Sequence, residues 1–194
     1  MHPPPLGAKG DDPPMTSKDF VTPGSDRCYS LLPTPIGTVL LIGDGSALTG
    51  LSLGTDRRPI EVPAGLVRDD ACLGTAREEL GRYLSGEGRA FTCPLAPRGT
   101  PFQLAVWRAV LAIPYGETRS YTDIAQAVGR PGAVRAVGAA NAANPISLII
   151  PCHRVIGRDG DLRGYGWGLP RKRWLLAMES GVRCPAAERQ AWEA

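Results

Sequence analysis

Long apolar runs are missing from this 194-residue chain: none approaches the roughly 18 residues that a membrane-spanning helix needs, so no membrane partner is expected. The first twenty residues hold no apolar stretch ending in a small-residue cleavage site, so a secretory signal is not expected and the cytoplasm is the expected location. Rich in Pro, Gly and Asp, they read as a flexible tail. Cysteine motifs are equally absent. The five cysteines (Cys28, Cys72, Cys93, Cys152 and Cys184) are odd in number and scattered, with no CxxC pair and no Cys/His spacing of a zinc module. That pattern argues against a metal and against a disulfide framework. Reduced thiols are expected, four of them serving as small buried apolar side chains. Histidine is scarce: of the two, His2 belongs to the tail and His153 directly follows Cys152. No internal repeat is visible.

What is present suffices for a globular fold. With 43% apolar and 21% charged residues the chain can bury a core, and its length suits one ordinary domain or two small ones. The net charge of +3 is unevenly spread. Residues 1–99 carry ten Lys/Arg and twelve Asp/Glu, whereas residues 100–184 carry eleven and five. A basic second half beside a mildly acidic first half suits a polyanion bound to the second, although a solvated basic surface would look the same.

Short β-rich runs at 28–32, 37–42 and 47–53 are punctuated by Pro33, Pro35 and Asp44-Gly45, which predicts a small antiparallel sheet. Apolar residues at 73, 76, 80, 83 and 84 keep helical spacing, and 91–95 reads as one more strand. The segment 96–101 (APRGTP) breaks the pattern and marks a boundary. Beyond it, Thr100 and Pro101 open a helix reaching about Leu111, with Phe102, Val106, Trp107 and Val110 on one face. Ser120 with Asp123 resembles a capping box that opens a helix over 121–128. After a turn at 129–132, an Ala- and Gly-rich helix covers 133–143. Two short helices joined by a glycine-bearing turn form a helix-turn-helix pattern, or simply a tightly packed pair. A buried extended run at 146–150 leads into Cys152, a Gly-rich loop spans 157–168, and Pro170 starts a last helix that carries Trp174, Leu175 and Met178 inward and stops at Gly181. The expected fold is α/β with two domains. Residues 27–98 form a small antiparallel sheet with a helix, and residues 99–183 form a mostly helical, winged helix-turn-helix-like domain that carries the active site. Tails are expected at 1–26 and 184–194.

A cysteine attacks as its thiolate, and a free thiol with a pKa near 8.5 is only a few per cent ionised at neutral pH. His153 is the obvious base. Neighbours in an extended segment point to opposite sides, so a bridging water is the economical route for the proton. A carboxylate behind the imidazole would stabilise its charged form, and Glu179 on the last helix suits that place.

The segment from Ile149 to Ser180, IIPCHRVIGRDGDLRGYGWGLPRKRWLLAMES, closely resembles the active-site region of the O6-alkylguanine-DNA alkyltransferases, also called methylated-DNA-protein-cysteine methyltransferases. The likeness extends back through IPYGETRSYTDIA and RAVGAANAANP to cover residues 100–181, and residues 27–98 look like the family's N-terminal domain. The resemblance implies direct reversal of O6-alkylguanine damage, and of O4-alkylthymine, by one irreversible transfer to Cys152 without a cofactor. It implies double-stranded DNA as partner, bound through the minor groove by a monomer that can assemble cooperatively on it. Arg135 would fill the stack left by the flipped base, and Tyr121 would press on the adjoining phosphate and donate to the leaving guanine. Asn144 would join the recognition helix to the active-site turn. His153 and Glu179 would relay the thiol proton. Backbone groups of Val155 and Gly166 would read the base edge, Tyr165 would line the alkyl channel, and Lys172 would lie nearby. Two departures bear on the range of alkyl groups: Trp167 stands where many members have glycine, and Ser147 where some have proline.

Rival readings are a non-enzymatic lesion binder and a helix-turn-helix regulator. The first resembles the family's alkyltransferase-like branch, which has tryptophan at the position of Cys152; the second leaves PCHRV unexplained. A cofactor-dependent methyltransferase is disfavoured, since no strand leads into a Gly-rich nucleotide loop.

Overall fold

The computed structural model describes residues 20–55 and 59–182. The expected tails at 1–26 and 184–194 lie outside these apart from 20–26, and Cys184 lies outside them too. Three alternating apolar runs form a meander of β1 (Cys28–Thr34), β2 (Gly37–Gly43) and β3 (Leu48–Leu53). Cys28 pairs with Gly43 and Thr34 with Gly37 in the first hairpin, and Val39 pairs with Leu53 in the second. Asp44 closes the β2–β3 turn by accepting from the amides of Ser46 and Ala47, each at 2.9 Å, as a turn aspartate does. A fourth strand, β4 (Val67–Arg68), runs parallel to β1 and makes the order β3-β2-β1-β4. Its two residues are exposed, so no alternation announces it. Helix α1 (Gly74–Leu84) buries Ala76, Leu80, Tyr83 and Leu84.

Three expectations need correction. Residues 91–95 form no strand: of them Leu95 alone makes bridges, to Leu48 and Phe20, while the Glu79 carboxylate takes the amides of Thr92 and Cys93 at 2.9 and 3.2 Å. A side chain that satisfies those donors competes with a ladder. The thiols are not all reduced either, because Cys28 and Cys72 form a disulfide. The parallel pairing of Val67 with Cys28 returns the chain to the start of β1, and Cys72 follows on the turn into α1. A separation of 44 residues gave no hint of this contact. Cys93 and Cys152 are free and buried. Lastly, 146–150 is no extended run but a turn, in which the Ile150 amide donates to the Ile146 carbonyl at 3.0 Å and Leu148 takes φ 73°. Left-handed backbone costs a leucine roughly 1–2 kcal/mol, an amount that complete burial of Leu148 and Ile150 offsets.

The rest is mostly helical. Helix α2 (Pro101–Leu111) starts with a reciprocal cap, Gln103 amide to Thr100 Oγ1 at 3.3 Å and Thr100 amide to Gln103 Oε1 at 2.8 Å. Ser120 and Asp123 cap α3 (Tyr121–Ala127) in the same way. Helix α4 (Val134–Ala142) packs with α2 and α3, and the Trp107 indole donates to the Ala140 carbonyl at 2.8 Å. Strand β5 (Arg119–Ser120) pairs with β6 (Val155–Ile156), which ties the entry of α3 to the chain just after Cys152. Helix α5 (Leu169–Glu179) buries Trp174 and Leu175 and leaves Met178 half-buried; Gly181, at φ 71°, follows its end. The sheet and the helical part share one core, joined by Leu51 amide to Pro145 carbonyl at 2.8 Å and Arg171 Nε to Ile36 carbonyl at 3.0 Å. Among the described residues no helix is long and apolar enough to cross a membrane.

Candidate active site

Cys152 opens a single 3₁₀ turn, Cys152–Arg154, where an extended segment was expected. Successive side chains in such a turn diverge by about 120°, so Cys152 and His153 still face different ways. Asn141 on α4 donates to the Cys152 carbonyl at 3.2 Å. Asn144 donates to the Ile150 carbonyl at 2.8 Å and accepts from the Ile146 amide at 3.0 Å, which pins the preceding turn to the end of the helix. Cys152 Sγ stands 3.8 Å from Ser147 Oγ.

Behind the cysteine lies a buried polar cluster. His153 is fully buried, and its Nε2 stands 2.8 Å from Glu179 Oε1. Arg154 forks onto the same carboxylate, Nε to Oε2 and Nη2 to Oε1, both at 2.9 Å, and sends Nη1 to the Ile113 carbonyl at 2.7 Å. Tyr83 reaches across from α1 to donate to Glu179 Oε1, and its hydroxyl is 3.3 Å from His153 Nε2. The Gly116 amide adds a donor to Oε2 at 3.3 Å. Gly116 has φ 77°, and a Cβ there would sit 3.1 Å from the Glu179 carbonyl, so this turn requires glycine. A carboxylate at a helix C-terminus is ordinarily unfavourable, and here five donors from three segments outweigh the dipole.

The electrostatics follow from this packing. Burial alone would raise the Glu179 carboxyl, but His153 and Arg154 hold it well below the carboxylate range. Burial pushes the His153 imidazole down, with Glu179 pulling the other way. Burial also raises the Cys152 thiol, against the opposing effects of Asn144, Ser147 and Lys172. The resting pair is therefore a neutral thiol beside a neutral imidazole. Lys172 is fully buried, donates to the carbonyls of Val155 at 2.7 Å and Arg163 at 3.3 Å, and is pushed down to about 8 by desolvation.

Cys152 lies at the wall of a cleft of about 1010 Å³. The cleft brings together Tyr121, Arg135, Asn144, Tyr165, Gly166 and Trp167 from the expected set, with Asn141 and Gly138 from α4. The rings of Tyr165 and Trp167 meet edge to face at 5.6 Å, and the Tyr165 hydroxyl is buried without a hydrogen-bond partner among the described residues. Burial raises the Tyr121 phenol. Arg135 is exposed on α4, beside the equally exposed Ala136, Ala139 and Ala142. His153, Glu179, Val155 and Lys172 do not line this cleft; they stand behind the cysteine. Tyr83 and Arg154 of the cluster, and Asn141 on the cleft wall, were not foreseen.

A family model described as 6-O-methylguanine DNA methyltransferase, DNA binding domain, matches residues 101–181, and the model for that family's ribonuclease-like domain matches residues 28–97. The chain belongs to the 6-O-methylguanine DNA methyltransferase family. Among curated relatives, the methylated-DNA–protein-cysteine methyltransferase of Methanosarcina barkeri is 47% identical over 151 residues, 78% of this chain and 96% of its own. That of Mycobacterium tuberculosis is 48% identical over 158 residues, 81% and 94% of the two chains. The crystal structure of the M. tuberculosis O6-methylguanine methyltransferase superposes with a TM-score of 0.74 at 47% identity, covering 84% of this chain and 96% of that one. The M. tuberculosis protein solved in complex with DNA gives 0.75 at 46%, covering 84% and 98%. The resemblance carried by PCHRV is thus met at the level of the family, and this family's members are transferases by name.

Proposed function

We propose that this protein reverses O6-alkylguanine damage in DNA, and O4-alkylthymine damage with it, by a single irreversible transfer of the alkyl group to Cys152. The observation that carries the reading is Cys152 on the wall of the cleft, next to an imidazole whose Nε2 is tied to Glu179 while Nδ1 has no hydrogen-bond partner among the described residues. Sγ forms the new bond to the alkyl carbon as the bond from that carbon to O6 breaks. The thiol proton passes through a water to His153 Nδ1, and Tyr121 donates to the leaving guanine. A lesion binder or regulator has no use for a thiol so equipped. No cofactor takes part, since the damaged base is itself the alkyl donor.

In this reading α3 and α4 are the helix-turn-helix of a winged domain, and α4 enters the minor groove. The exposed Ala136, Ala139 and Ala142 allow its backbone to come close to the DNA, and Arg135 fills the space that the extruded base leaves. Tyr121 presses on the adjoining phosphate, and backbone groups at Val155 and Gly166 read the base edge. Extrusion costs a few kcal/mol, least for a badly paired base.

The test is a comparison of two substrates. The wild type should react both with O6-methylguanine in a duplex and with a free O6-alkylated guanine. Arg135→Ala should slow the duplex reaction by roughly tenfold to a hundredfold while sparing the free base, which has no stack to leave. Equal losses on both substrates would remove the role of Arg135, and a wild type inert to both would remove the function.

Trp167 shapes the alkyl range. Its indole is half-buried, lines the cleft with Cys152 and meets the Tyr165 ring. A methyl group passes it, whereas a benzyl group is crowded. Overpacking typically costs about 1–3 kcal/mol, or roughly one to two decades in rate. Trp167→Gly should therefore speed reaction with free O6-benzylguanine about tenfold or more and change methyl repair little. Identical benzyl rates in the variant and the wild type would show that the indole does not limit the channel.

A further inference from the structure

We infer that Tyr83 is a positioning residue for alkyl transfer: its hydroxyl, sent from the N-terminal sheet-and-helix region into the base of α5, joins Glu179 in holding the His153 tautomer that leaves Nδ1 free for the thiol proton, and it restrains the basicity of that imidazole. The inference rests on the transfer reading and adds to it a part for the first half of the chain.

Glu179 sets the hydrogen-bond directions around it. That carboxylate is ionised, so it can only accept. The Tyr83 hydroxyl beside Oε1 must therefore donate its one proton to it, which turns the lone pairs of the tyrosine oxygen toward His153 Nε2 at 3.3 Å. Nε2 then faces two acceptors, the carboxylate at 2.8 Å and the phenol oxygen, and it must carry the ring's proton. Nδ1 is left with its lone pair, and it is the ring nitrogen with no hydrogen-bond partner among the described residues. Tyr83 is itself fully buried, with its ring packed on Phe91 at 5.3 Å and edge-on to Tyr115 at 6.1 Å, so the hydroxyl has little freedom to turn elsewhere.

The same hydrogen bond sets the strength of the base. Glu179 stabilises the imidazolium that forms as the thiol loses its proton, and each donor on the carboxylate weakens that pull. Around His153 stand Glu179 and Lys172 of α5, Cys152 and Arg154 of its own turn, and Tyr83 of α1. Beyond them Tyr115, flanked by the Arg89 and Arg154 guanidinium groups at 5.5 and 5.7 Å, faces Tyr83. The Tyr165 hydroxyl lies buried near the same carboxylate. Arg154, Tyr83 and the Gly116 amide thus share Glu179 with the histidine, and of the two side chains Tyr83 is the one that can lose its donor without leaving a buried charge unpaired.

Tyr83→Phe keeps the ring and removes that donor. The carboxylate then pulls harder on the imidazole, so the protonation midpoint of His153 should rise by about half to one pH unit. Because the base must be neutral to accept a proton, the acid limb of the transfer rate moves up with it. The variant should be several-fold slower at pH values on the acid limb of the wild type, and the gap should narrow as pH rises past the midpoint of the variant. With only His2 and His153 in the chain, nitrogen-15 histidine spectra of the full-length protein resolve both tautomer and midpoint. Supporting results are a proton on Nε2 in the wild type and parallel upward shifts of midpoint and acid limb in Tyr83→Phe. An unchanged or lowered midpoint, a wild-type proton on Nδ1, or a rate loss equal at all pH values overturns the inference. Should Tyr83→Phe fail to fold, 3-fluorotyrosine at this position strengthens the donor instead and should lower the midpoint; no change would overturn the inference equally. If the wild type takes no alkyl group onto Cys152, the transfer reading fails while the titration still stands as its own result.

Discussion

Cys152→Ala should abolish alkyl transfer and leave affinity for a duplex carrying O6-methylguanine within about twofold of wild type. In the proposed reading, groove contacts and base extrusion would be made by α3, α4 and the loop that carries Trp167, none of which uses the sulfur. The substitution is also mild for the fold. It removes one heavy atom from a site that is 5% exposed, which costs about 1 kcal/mol as a small cavity. Transfer measured with a labelled methyl group and binding measured by fluorescence anisotropy separate the two effects. Residual transfer that rises to match the amount of protein would mean that another group is the acceptor.

Glu179→Gln should damage stability and chemistry together. At neutral pH the wild-type carboxylate takes a fork from Arg154 and a bond from His153. Removing its charge leaves a buried guanidinium without an anion, a change that typically costs about 3–5 kcal/mol and would lower Tm by roughly 10 °C in a chain of this size. The transfer rate should fall about a hundredfold or more, because the imidazole loses the group that orients it and stabilises its charged form. The sign of the pH dependence follows from the direction of the shift. The Glu179 carboxyl is held below its ordinary 4.5 in the folded protein, so its contribution is complete above that value and is lost as pH falls toward the folded one. The stability gap between variant and wild type should persist from pH 8 to pH 5 and close only in stronger acid. A gap that widens in acid, or a Tm within about 2 °C of wild type at pH 7, would contradict the assignment of Glu179 as the buried counter-charge.

Local signals were legible in the sequence and distant ones were not. Thr100-Pro101 and the Ser120/Asp123 pair announced two helix starts because caps involve residues three apart, and both reciprocal caps are present. The adjacency of Cys152 and His153, with Glu179 a helix away, was readable because thiol chemistry demands a base. Tyr83 was read as one more apolar position on α1, which its ring is. Nothing local betrays that its hydroxyl meets a carboxylate 96 residues on. Arg154 could have been found: an arginine inside PCHRV, between the apolar pairs Ile149-Ile150 and Val155-Ile156, has to bring an anion with it when buried. So could Asn141, since this chain has only two asparagines and both lie within NAANP. An amide inside an Ala-rich helix is unfavourable unless it bonds something, and this one holds the Cys152 carbonyl. The 146–150 turn and the Cys28–Cys72 pairing had no such signal. A short apolar run does not reveal whether it is straight or folded back, and a contact across 44 residues depends on the whole sheet.

The central claim is that the alkyl group ends on Cys152, once per molecule. It is tested most directly by intact-protein mass spectrometry after incubation with excess oligonucleotide duplex bearing O6-methylguanine, followed by peptide mapping. The expected result is a gain of one methyl group per chain, located on Cys152, with guanine restored in an amount that levels off at one equivalent of protein. A chain of unchanged mass, a methyl group mapped to any other residue, or repair that continues past one equivalent would contradict it.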